Sequence, residues 1–137
     1  MDKEINLEEL KASAEQGNAA AQWQLGSMYQ DGILVEKDVA TAVHWYRLAA
    51  CQGIHEAQYR LGKMYSLGLG VAQDLTTAYM WFYLSAIDGV AGSFFQTNKM
   101  QQSLSLKPAE IVEAVRRARA CLDSNFKDSG DSTQAPS

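Results

Sequence analysis

Apolar and polar positions in this chain alternate with a helical rhythm, and the whole pattern returns after 36 residues. Ala21, Leu25, Met28 and Tyr29 stand at i, i+4, i+7 and i+8, which marks one face of a helix. The same marks recur as Ala57, Leu61, Met64 and Tyr65, and comparison of 21–53 with 57–89 finds 15 of 33 positions identical. Glycine follows each stripe at Gly32 and Gly68, where a left-handed residue ends a helix. The spacing predicts a helix A over 19–31 and again over 55–67. A second stripe, Ala42, Trp45, Tyr46, Ala49 and Ala50, returns as Ala78, Trp81, Phe82, Ser85 and Ala86. It predicts a helix B that starts at Asp38 or Asp74, where the carboxylate can cap the amide of Thr41 or Thr77. Gly53 and Gly89 close these segments.

Small residues at fixed phase, Gly26, Gly62, Ala42 and Ala78, predict close approach of A and B, while Trp45 and Trp81 fill the space between pairs. The ends are partial copies. Residues 6–16 follow the phase of helix B, so a half-repeat spans 1–17, ahead of full repeats at 18–53 and 54–89. Residues 90–126 hold a diverged helix over 92–103, then a closing helix from Pro108 with Ile111, Ala114, Val115, Ala118 and Leu122 as its stripe. The tail, 127–137, is polar and predicts disorder. An all-α stack of helix pairs follows, in which each unit touches only its neighbours.

The repeated string resembles the Sel-1-like repeat, a relative of the tetratricopeptide repeat. The second copy carries Ala57, Leu61, Gly62, Tyr65, Gly68, Gly70, Val71, Asp74, Ala78, Trp81, Ala86 and Gly89, with Ser85 in place of the family's alanine. The first copy matches except at Leu34, which stands where Gly70 does and is strained if that turn needs a positive φ. Before Pro108 the family usually places Ser or Thr; here Lys107 is the poorer cap. The resemblance implies a right-handed α-solenoid with a concave surface lined mainly by A helices, and an adaptor or scaffold role. It supplies no catalytic set.

Composition narrows the function. The net charge of −4 argues against a nucleic-acid or anionic-membrane binder, which needs a basic stripe. Cys51 and Cys121 are too few for a disulfide framework, and Cys51 near the end of a helix is not activated as a thiolate. The first residues carry no apolar signal segment, so a cytoplasmic protein is expected, or a periplasmic or secreted one if a leader has been removed. His44 and His55 do not share a repeat phase and read as a surface residue and a helix-start residue. Gly68-Leu69-Gly70 lacks the context of a phosphate loop, and Arg116, Arg117 and Arg119 read as a solvated helix face. No metal, cofactor or catalytic residues are expected.

Specificity should sit where the copies differ. On helix A these positions are Gln24 and Arg60, Ser27 and Lys63, and Gln30 and Ser66. They are the expected contacts to an unidentified protein or peptide, and Trp23 and Tyr59 could border the same groove. The function expected is a non-enzymatic protein–protein interaction module. An envelope or secreted accessory protein with ligand-binding or hydrolase activity is the alternative, and weak self-association of a short stack is a further possibility.

Overall fold

The computed structural model describes residues 6–87 and 106–123. Among them are six helices and no strand: α1 (Leu7–Glu15), α2 (Ala19–Asp31), α3 (Val39–Ala50), α4 (His55–Leu67), α5 (Leu75–Ile87) and α6 (Pro108–Asp123). The expected diverged helix, Gly89 and the tail lie outside the described residues.

The helix starts follow from side-chain capping. Asn6 accepts from the Glu9 amide and Asn18 from the Ala21 amide. Asp38 and Asp74 each take two bonds, from the amide and the hydroxyl of Thr41 (3.2 and 2.8 Å) and of Thr77 (3.1 and 2.7 Å). Those bonds hold the Asp38 carboxyl below its ordinary value, the hydroxyl bond contributing most. Ile54 opens α4 with no side-chain cap. At α6, where Lys107 offers none either, Glu110 reaches back to accept the Lys107 amide at 2.9 Å. The two A helices end as expected, with Gly32 and Gly68 left-handed at φ 70° and 69°.

Packing runs between consecutive helices, α1 on α2 through α5 on α6, which makes the chain an all-α solenoid. Within a repeat, A meets B through glycine. A β-carbon on Gly26 would stand 2.7 Å from the Tyr46 ring, and one on Gly62 would stand 2.9 Å from the Phe82 ring. Between repeats, a buried glutamine bridges the seam. Gln22 Nε2 donates to the Ala14 carbonyl at 3.0 Å, and Gln58 Nε2 repeats the bond to Ala50 at 3.2 Å. Each adds a second bond to a carbonyl near the end of the preceding B helix, which the Gly17 or Gly53 amide also reaches at 3.0 Å.

Two departures from strict repetition have physical reasons. Trp81 is fully buried, whereas Trp45 is half-buried against the smaller cluster of α1 and α2. The short half-repeat in front of Trp45 covers less of the ring. Ser85, the departure from the family's alanine, donates its hydroxyl to the His55 carbonyl at 3.0 Å and so ties α5 to the start of α4. Leu34 takes the left-handed conformation at φ 64°, matching Gly70 at φ 72°. It is 60% exposed, so the strain is one of backbone and not of packing.

Candidate functional site

The A helices α2 and α4 place one polar and aromatic face beside the next. Trp23 and Tyr59 occupy the same phase and are both half-buried. Each leans on the ring below it, Trp23 on Tyr46 with centroids 5.2 Å apart and Tyr59 on Phe82 at 5.6 Å. Each of these two rings also meets a cation. The Arg60 guanidinium reaches from α4 across the seam to lie 5.8 Å from the Trp23 ring centre. The Lys63 ammonium lies 5.7 Å from the Tyr59 ring centre on its own helix. Two stacks result, each made of cation, aromatic, second aromatic and glycine.

The expected contact residues divide into two kinds. Gln24 is exposed on α2, and Arg60 and Lys63 are half-buried with no hydrogen-bond partner among the described residues. Ser27 and Gln30 are already engaged: the Tyr46 hydroxyl donates to Gln30 Oε1 at 2.6 Å and lies 3.3 Å from the Ser27 hydroxyl. Burial raises the Tyr46 pKa above its usual value, opposed by the Ser27 bond and the Arg60 charge, so the phenol remains a donor. In the second copy Phe82 has no hydroxyl to satisfy, and Lys63 and Ser66 replace the acceptors. Ser66 instead donates to the Lys63 carbonyl at 2.8 Å. Part of the difference between copies therefore tracks one internal hydroxyl. The glutamine bridge was a signal present in the sequence as Gln22 and Gln58, at equal phase and flanked by apolar neighbours.

The loop edge carries two repeat-equivalent clefts of about 630 and 680 Å³. One is bordered by Arg47, Tyr65, Val71, Asp74 and Glu110, the other by Lys11, Tyr29, Val35 and Asp38. Three of their carboxylates are occupied as helix caps, Asp38 and Asp74 by threonines and Glu110 by the Lys107 amide, and Glu36 also lines the second cleft. Arg47 donates to the Tyr65 hydroxyl at 2.7 Å. Among the described residues no group of three metal-ligand side chains comes together. His44 is exposed on α3, His55 is the first residue of α4, and Cys51 is half-buried just past α3. Arg116 and Arg117 both pair with Glu113, at 2.6 and 3.0 Å, Arg116 exposed and Arg117 half-buried and reaching the Thr77 hydroxyl of α5 at 3.4 Å. No helix among the described residues is long and apolar enough to cross a membrane.

Stacked helix pairs with a variable polar and aromatic face define a helical-repeat protein whose useful surface is extended. The chain belongs to the Sel1-repeat family, whose model matches residues 19–54 and 55–90. Proteins of this family are in general protein–protein interaction modules and scaffolds. A Sel1 repeat protein from Oxalobacter formigenes is similar in structure, with a TM-score of 0.65 and 29% identity over 83% of this chain and 88% of its own. A protective antigen of uropathogenic Escherichia coli strains gives a TM-score of 0.70 and 35% identity over 92% of this chain and 28% of its own. The secretory immunoglobulin A-binding protein EsiB of Escherichia coli O6:H1 is 47% identical over 45 residues, a third of this chain (33%). The match spans only 9% of EsiB's length.

Proposed function

We propose that this chain is a non-enzymatic interaction module that holds a partner protein, or an extended segment of one, on the concave face of its A helices. The observation that carries the reading is the pair of stacks on α2 and α4. They present Trp23, Tyr59, Arg60 and Lys63 on helices whose opposite sides are locked by glycine–ring packing. Aromatic and arginine side chains dominate the energetics of protein interfaces, and a rigid support lowers the entropy lost on binding. A relative named for binding secretory immunoglobulin A supports a protein ligand in kind, not in identity. Three of the four carboxylates that line the clefts are occupied as caps, which favours the adaptor reading over a hydrolase.

A tagged full-length chain used as bait in cells that naturally produce it tests the reading when set beside a Gln24→Trp variant. Gln24 is exposed, so the indole blocks the face without disturbing the core. Partners held by the original chain and lost by the variant support the face. Partners held equally by both, or robust turnover in a substrate panel, overturn it. Weak pairing of two copies through an incompletely covered end of the stack belongs to the same reading. Sedimentation that rises with concentration supports that pairing, and a concentration-independent monomer removes it.

A further inference from the structure

We infer that the A-helix face recognises an acidic segment in extended conformation, its carboxylates taken by Arg60 and Lys63 as these leave the rings of Trp23 and Tyr59. This rests on the preceding reading of the face and names the chemistry of its ligand.

Of the other arginines, Arg47 bonds the Tyr65 hydroxyl, Arg116 and Arg117 share Glu113, and Arg119 stands in solvent on the closing helix. Arg60 and Lys63 have no carboxylate partner among the described residues and rest on ring faces. The Arg60 Nε is buried without an acceptor, so the resting position does not satisfy the guanidinium. A ring face is the weaker partner, and a carboxylate that accepts two guanidinium hydrogens is the stronger. The exchange also uncovers two aromatic faces for the ligand's apolar atoms.

Charge supports the same ligand. The chain as a whole is acidic, at −4, yet the middle of this face carries two unpaired cations. The acidic groups nearby are at its ends: Asp31 closes α2, and Glu56 lies in the first turn of α4. Neither forms an ion pair with Arg60 or Lys63; Glu56, four residues before Arg60 on the same helix, is the internal competitor that a ligand carboxylate has to outmatch. One cation lies over α2 and the other over α4, so matching carboxylates belong on one side of a chain that crosses the seam. Alternate residues of an extended backbone point to one side and repeat at about 7 Å, so such a segment can turn successive carboxylates toward both helices. A helix would place only every third or fourth residue there.

The experiment uses the full-length chain and a fluorescein-labelled octapeptide of alternating glutamate and serine. A glutamine–serine peptide of the same length and an Arg60→Gln, Lys63→Gln double variant serve as arms. The inference expects the glutamate peptide to bind, the glutamine peptide to bind at least roughly tenfold more weakly, and the double variant to lose a similar factor. Binding should weaken steeply as salt rises. Emission from Trp23, isolated by comparison with Trp23→Phe, should change on binding because the guanidinium leaves its ring. Unchanged circular dichroism of the double variant keeps the comparison valid, and if that variant misfolds, the glutamate–glutamine contrast and the Trp23 signal decide alone. Equal binding of both peptides, or binding of neither, overturns the inference. If natural partners are still blocked by Gln24→Trp in that case, the face stands as a binding surface of different chemistry. If they are not blocked, the face itself fails.

Discussion

At the scale of the residue, the clearest test lies at two equivalent turns occupied by different amino acids. Leu34 and Gly70 are both left-handed, but only glycine holds that conformation without a β-carbon penalty. Leu34→Gly should raise stability by about 0.5–1 kcal/mol, the relieved strain exceeding the added freedom of the unfolded chain. Gly70→Ala should lower it by about 2 kcal/mol or more, because the new β-carbon would meet the Val39 carbonyl oxygen at 2.8 Å in addition to the strain. Urea unfolding followed by circular dichroism reads both changes, and opposite signs at the two turns are the expected outcome. Gln22→Met should cost about 1–3 kcal/mol in the same assay, since it removes two hydrogen bonds of the Gln22 amide, the one to the Ala14 carbonyl and the one from Gln52. Loss of less than half a kilocalorie there would make the glutamine bridge incidental.

At the scale of the element, the helices were legible in the sequence because their signals are local. The apolar stripes, the capping aspartates and the C-terminal glycines lie within each helix or at its ends, and α2 and α4 run over the residues expected of them. The partnerships across elements were less legible. Nothing in the spacing of Gln22 says that its amide reaches back to Ala14. Nor does the change from Tyr46 to Phe82 announce that Ser27 and Gln30 serve a hydroxyl. These pairings arise only when one helix folds back onto the next, so variation between copies mixes internal repair with surface choice. The closing helix adds a pH dependence of its own. Glu113 is held at about 2, below its ordinary 4.5, first by the bond from Arg116 and then by that from Arg117. A depressed carboxylate stabilises the fold above its unfolded value and loses that contribution as pH falls from about 4.5 towards 2. The carboxylate is exposed, so the effect should shrink in high salt. Glu113→Gln should therefore differ from the original chain at neutral pH, and the two should converge near the lower limit in a thermal-melt series.

At the scale of the molecule, one construction principle accounts for both the stability and the surface. Glycine lets rings settle onto the A helices, alanines close the B helices, and glutamines tie each pair to the one before it. The residues freed from this task stand on the A-helix face. The most direct test is hydrogen–deuterium exchange of the full chain with and without a partner captured by it. The account predicts new protection across Trp23–Gln30 of α2 and Tyr59–Ser66 of α4, with the outer sides of α3 and α5 unchanged. Protection confined to the loop-edge clefts around Asp38 and Asp74, or to α6, would contradict it.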